Sequence, residues 1–184
     1  MPDEHMEPAQ ITPRSANDYL DVMSKAVFQS GISWRVIEAK WPSTREAFHD
    51  FDVDRVASLS DRDLDALAAD TRVIRNRKKL DAIVGNAARM LELEAEYGSF
   101  KKYLRACGSF EETVKSLRQN FKFLGESGCY LFLWVVQEPV PPYEGGPARA
   151  RRRGRRGTRR APPPYPTHPA GLVAASPARP TIEG

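Results

Sequence analysis

Between Ser15 and Ser109, serines repeatedly stand just ahead of amphipathic runs, and this punctuation constrains the fold more than any other feature. A serine oxygen there can accept an N–H that the first helical turn leaves unpaired. Ser15 precedes Tyr19, Leu20, Met23, Ala26 and Val27, which share one face at i, i+3, i+4 spacing. Ser33 opens a second run with Trp34, Ile37 and Trp41 on one side, and Pro42 is expected to stop it. Ser43-Thr44-Arg45-Glu46 and Ser60-Asp61-Arg62-Asp63 have the form of capping boxes, the second with Asp in place of Glu. The longest pattern runs from Asn76 to Tyr97, with Leu80, Ile83, Val84, Ala87, Ala88, Leu91 and Leu93 as its stripe and Gly85 as a weak spot. Ser99 and Ser109 begin two shorter segments, the latter with Glu111 and Glu112 suited to the positive end of a helix dipole. Alternating β-branched runs are almost absent, so the expectation is an all-α domain of about seven to nine helices.

Charge divides the chain. Residues 1–144 carry 19 Lys+Arg against 23 Asp+Glu, whereas residues 145–184 carry 9 Arg and a single acid, Glu183. The basic character belongs to the tail, and a global argument from pI to nucleic acid fails for the helical part. From Gly145 onward Gly, Pro, Ala and Arg dominate, which does not offset the entropy of ordering. The chain is therefore read as a flexible leader over 1–13, a helical domain over 14–144 and a disordered tail over 145–184. No apolar run reaches the roughly 18 residues of a membrane span. The longest, Cys129 to Val136, fits a buried core helix. Cys107 and Cys129 form no CxxC pair and no secretory-type apolar region precedes them, as expected of a reduced cytoplasmic protein.

Phe121-Lys122-Phe123-Leu124-Gly125-Glu126-Ser127-Gly128-Cys129-Tyr130 places two glycines between two helical segments. Such a turn offers exposed N–H groups at a helix start to an anion such as a DNA phosphate, with Lys122 adding charge. It is equally the pattern of a plain glycine-capped connection between helices.

The run Phe28-Gln29-Ser30-Gly31-Ile32-Ser33-Trp34 resembles the Q-A-G-L-S-W signature of the DNA-3-methyladenine glycosylase I family. Arg45 to Asp52 is similar to that family's R-x-x-F-x-x-F-D, Val73 to Leu80 to its I-I-R-N-R-x-K-I, and Ile83 to Ala87 to its I-x-x-N-A. Phe121 to Tyr130 resembles F-K-F-V-G-x-T-x-C-Y, and the matches keep their order over residues 20–138. The resemblance implies an all-α helix-hairpin-helix glycosylase fold and a repair enzyme that hydrolyses the N-glycosidic bond of alkylated purines such as 3-methyladenine. Its partner would be double-stranded DNA containing alkylated bases, bound by a monomer with no membrane attachment and no cofactor. Trp34, with Gln29 and Phe28, would form the base pocket, and Gly31 and Ile32 would fill the gap left in the duplex. Lys122, Gly125, Ser127 and Gly128 would hold the phosphate backbone.

Two features depart from the family. Its base-recognising glutamate stands eight residues before the signature Trp, where this chain has Ala26, which can neither accept a hydrogen bond nor balance a cationic base. Glu38 lies on the other side of Trp34 and does not replace it. The family's zinc-sharing termini are also missing: His5, His49, His168, Cys107 and Cys129 do not assemble into a four-ligand site, so no metal is expected. Glu144 and Asp21 are the candidate catalytic carboxylates, each alternatively a solvated surface acid. Trp34 and Trp41 could both be core. Arg75, Arg77, Lys78 and Lys79 read as a solvated helix start, Asn76 as a cap and Asn86 as a buried structural amide. The second reading of the whole chain is a catalytically inactive DNA-binding relative that uses the hairpin and the basic tail.

Overall fold

Eight α-helices follow one another in the described part of the chain, each begun by a residue suited to that place. The computed structural model describes residues 8–142. The helices are α1 (Ala16–Gln29), α2 (Trp34–Ala47), α3 (Val53–Ala57), α4 (Asp61–Ala69), α5 (Arg77–Tyr97), α6 (Phe100–Ala106), α7 (Phe110–Asn120) and α8 (Glu126–Val135). Among the described residues there is no strand, and no helix is long and apolar enough to cross a membrane. Ser60 and Asp63 form the expected reciprocal capping box on α4, while Ser33, Asn76, Ser99 and Ser109 each accept the N–H three residues on. Ser15 takes the N-cap position of α1 but makes no side-chain cap bond. There Asp18 accepts the Arg14 N–H at 2.8 Å instead.

Pro42 does not stop the second helix, which continues through it to Ala47. The hydroxyls of Ser43 and Thr44 turn back to the Lys40 carbonyl at 3.0 and 2.9 Å, and Ser43 also donates to the Arg72 carbonyl at 2.7 Å. Lys40 donates to the Thr71 carbonyl at 2.6 Å. The turn around the proline is thus tied to the 70–73 loop, and Ser43 serves as a bridge rather than as a cap.

α5 is the central helix. It packs against α1, α3, α4 and α6, while α1 also lies on α8 and α2. The apolar run ends in the core as α8, with Cys129 and Phe132 fully buried and Phe132 within 6.2 Å of Tyr19 and 6.4 Å of Phe100. Of the leader expected over 1–13, the described part lies along α8: the Ile11 N–H bonds the Val135 carbonyl at 2.8 Å and the Gln10 side chain the Trp134 carbonyl at 3.0 Å. The compact unit runs from Pro8 to Val140, and the tail expected over 145–184 lies outside the described residues.

The turn between α2 and α3 explains the Arg45 to Asp52 motif. His49, Asp50 and Phe51 are all left-handed, with φ of 54°, 56° and 55°. That conformation costs non-glycine residues about 1–2 kcal/mol each. It is held because it swings Phe51 into a parallel stack, 5.3 Å from both Phe48 and Trp41. Phe48 and Phe51 are fully buried, and each such burial is worth about 2–3 kcal/mol. Asp52 then caps α3 by accepting the Arg55 N–H at 3.0 Å.

Candidate functional site

α1 and α2 are joined by the short loop Ser30–Ser33, so the end of one helix and the head of the next form a corner. Gly31 sits in the left-handed region at φ +96° with open space where a side chain would be, and Ile32 is half-buried. Trp34, the first residue of α2, is half-buried, whereas Trp41 two turns later is buried. The two tryptophans therefore have different environments, and only Trp41 belongs to the core.

Lys25 of α1 lies between them. Its ammonium is 5.7 Å from the centre of the Trp34 ring and 5.5 Å from that of Trp41, and it pairs with Glu38 at 2.8 Å. One turn earlier, Asp21 accepts the Trp41 indole N–H at 2.6 Å and pairs with Arg45 at 3.2 Å. Burial pushes the Asp21 carboxyl up from its ordinary value, against the opposing pull of Trp41, Arg45 and Lys25. A ladder of charge and indole thus fastens α1 to α2. Within it, Glu38 is committed to Lys25, and Asp21 to Trp41 and Arg45.

The remaining expected base-pocket residues are divided. Phe28 is fully buried, edge-on to Trp41 at 6.1 Å, and so belongs to the core behind the corner. Gln29 is half-buried, and its amide nitrogen is shielded from solvent with no hydrogen-bond partner. Ala26 is 3% exposed and faces α8: a Cβ placed on Gly128 would stand 3.9 Å from the Ala26 Cβ, 3.8 Å from its carbonyl oxygen and 3.3 Å from Leu124 Cδ1. Position 26 is therefore enclosed where α1 and α8 approach at two small residues.

The turn between α7 and α8 has the expected layout. Gly125 is the N-cap of α8, and Gly125 and Ser127 are exposed, while Gly128 is half-buried. Phe123 is left-handed at φ 56° and 48% exposed, which leaves a large apolar ring at the tip. The turn is clamped from below by Asn86 of α5, 2% exposed, which donates to the Lys122 carbonyl at 3.1 Å and accepts its N–H at 2.8 Å. The expected buried structural amide is thus the element that holds the hairpin. The Lys122 side chain lies along α5, its Nζ 3.4 Å from where a Cβ on Gly85 would be. Glu144 lies outside the described residues.

Two lysines were not legible as site residues. Lys25 borders the apolar face of α1 and carries no local signal. Lys79 was expected to be solvated but is 5% exposed, donating to the Phe28 and Ser30 carbonyls at the end of α1. Helical spacing held the clue, because Lys79 shares the stripe of Ile83, Asn86 and Met90. Arg77 by contrast is tied up at the surface by Asp61, Asp65 and Asp81. Among the described residues, no cluster of three or more His, Cys, Asp or Glu could hold a metal ion. A recess of about 460 Å³ lined by Phe110, Val114, Arg118 and Glu126 shares no residue with the Trp34 corner.

The all-α domain, with its glycine-bearing corner, half-buried tryptophan and clamped interhelical turn, has the fold of solved 3-methyladenine DNA glycosylase structures. The chain belongs to the methyladenine glycosylase family, whose model matches residues 12–127. It is 33% identical over 126 residues to DNA-3-methyladenine glycosylase from Haemophilus influenzae, covering 57% of this chain and 68% of that protein. It is 29% identical to DNA-3-methyladenine glycosylase 1 from Escherichia coli, covering 57% and 67%. Among solved structures it is similar to 3-methyladenine DNA glycosylase I from Staphylococcus aureus, with a TM-score of 0.64 and 27% identity over 72% of this chain and 81% of that one.

Proposed function

We infer that this chain is a DNA repair glycosylase that hydrolyses the N-glycosidic bond of alkylated purines such as 3-methyladenine. One observation supports this most. The family's Trp34 stands half-buried at the head of α2, directly behind the left-handed Gly31 loop, rather than being absorbed into the core as Trp41 is. In this reading the damaged nucleotide is turned out of the duplex, at a cost of a few kcal/mol that is least for a weakened base. Trp34 stacks on it, with Gln29 beside it and Phe28 supporting the corner from the core. Gly31 and Ile32 fill the vacated stack, and the N–H groups at Gly125, Ser127 and Gly128, together with Lys122, hold the phosphates.

The chemistry asks little of the protein. A 3-methylated adenine is cationic. The bond from its ring nitrogen to the anomeric carbon breaks with the electron pair going to the base, which leaves neutral. Water adds to the anomeric carbon and gives up a proton. Asp21 and Glu144 are the carboxylates proposed to help this step, and Asp21's bonds to Trp41 and Arg45 suit it better to holding the corner than to taking a proton. The enzyme is read as a cytoplasmic monomer acting on double-stranded DNA without a cofactor.

A second reading, an inactive DNA-binding relative, is favoured by Ala26, which offers no acceptor and faces Gly128. The deciding experiment is release of free 3-methyladenine from methylated duplex by the full chain. Release establishes the glycosylase. Its absence, with duplex binding intact and cooperative unfolding, establishes the relative.

A further inference from the structure

Lys79 occupies the first turn of α5, where a cation meets the positive end of its own helix dipole, and it is almost fully buried there. Both circumstances are unfavourable for an ammonium, and a solvated lysine would relieve both. The end of another helix receives it. Its Nζ donates to the Phe28 carbonyl at 3.2 Å and to the Ser30 carbonyl, and stands 5.9 Å from the centre of the Phe28 ring. Phe28 lies in the last turn of α1 and Ser30 is its C-cap, so these carbonyls are among those a helix end leaves without intrahelical partners. α1 has no basic residue in its own last turn. The cap is therefore supplied from α5, 51 and 49 residues away in sequence. The residues that follow the anchored carbonyls are Gly31, Ile32, Ser33 and Trp34.

Resting on the glycosylase reading above, we propose that Lys79 is a positioning residue for lesion engagement. As a cap supplied from α5 to the end of α1, it fixes the point from which the Gly31–Ile32 loop departs and the angle at which Trp34 is presented. A duplex pressing on that loop then meets an anchored helix end rather than a fraying one. Lys79 touches neither DNA nor base in this account. It acts through the two carbonyls.

The test compares Lys79→Met, Lys79→Gln and Lys79→Arg in the full chain. It measures thermal unfolding, affinity for intact duplex, affinity for duplex containing a tetrahydrofuran abasic analogue, and single-turnover release of 3-methyladenine at saturating DNA. Lys79→Met is expected to bind intact duplex as the parent does. Its release rate and its preference for the abasic analogue should fall about tenfold to a hundredfold, the scale of a small misplacement of reacting groups. Lys79→Arg, which keeps donors for both carbonyls, should recover most of that loss. If Lys79→Met does not unfold cooperatively, the same comparison is made between Lys79→Gln and Lys79→Arg. The proposal is overturned if the neutral variant keeps release and abasic preference within twofold of the parent, or if all variants lose activity only in proportion to the unfolded fraction. A parent that releases no base yet prefers the abasic analogue overturns the glycosylase reading alone, and Lys79 is then judged on that preference. A parent with neither overturns both.

Discussion

The carboxylate of Asp21 accepts the indole N–H of Trp41 at 2.6 Å, so a half-buried acid on α1 sets the orientation of the core tryptophan of α2. Arg45 pairs with the same carboxylate. Burial nevertheless raises its pKa from the ordinary aspartate value, so the folded chain binds this proton more readily than the unfolded chain does. The contribution is fully present below the unfolded pKa and is lost as pH rises through the folded one. Asp21→Asn keeps an acceptor for Trp41 but cannot titrate. The melting temperature of the parent minus that of Asp21→Asn should therefore grow as pH is lowered from neutrality towards about 4. A difference that shrinks on acidification would show the pKa to be depressed instead.

Trp34 is expected to separate chemistry from folding. Trp34→Ala removes a half-buried ring that is outside the stacked core, so its stability cost should stay near about 1–2 kcal/mol, below the 3–5 of a buried aromatic. Base release should fall on the order of a hundredfold while intact-duplex affinity, read by fluorescence anisotropy, stays within about twofold. Loss of release in step with loss of the cooperative melt would assign Trp34 to the core with Trp41.

Asn86→Ala leaves both the N–H and the carbonyl of Lys122 without the amide that now pairs them. The expected cost is about 1–3 kcal/mol, with weaker duplex binding because the α7–α8 turn loses its floor. Urea denaturation and a binding titration at fixed salt check both. Unchanged binding in a destabilised variant would remove the turn from the DNA interface.

Asp50→Gly is expected to stabilise. Asp50 is exposed, left-handed, and in the middle of a strained turn, so glycine relieves the strain at the cost of a more flexible unfolded chain. A net gain of about 0.5–1 kcal/mol should appear as a higher urea midpoint at unchanged slope. A lower midpoint would mean that the turn is not strained at this residue.

Local signals were legible where a serine or asparagine side chain bonds the helix it opens. The Ser60–Asp63 box and the Ser33, Asn76, Ser99 and Ser109 caps all lie where the serine and asparagine spacing puts them. What the sequence hid was done at a distance. Pro42 reads as a helix stop because the hydroxyl and lysine ties to the 70–73 loop are not local. His49, Asp50 and Phe51 carry no glycine to advertise a left-handed turn, which is held by the Trp41–Phe51–Phe48 stack. Lys79 reads as solvated because its acceptors lie on another helix. For the site, the motif residues at the corner and the turn were legible from the resemblance. The Lys25–Glu38 pair between the tryptophans was not.

The meeting of Ala26 with Gly128 has a consequence for how substitutions at this crossing combine. With α1 and α8 in contact at two of the smallest residues, the effect of a substitution at either position depends on the other. A glutamate placed at position 26 alone would bring a charged side chain into a buried crossing, and would register first as a folding defect. Room for it would have to come from neighbouring side chains such as Leu124, because Gly128 has none to give up. Packing between α1 and α8 thus weighs on position 26 before any chemistry does.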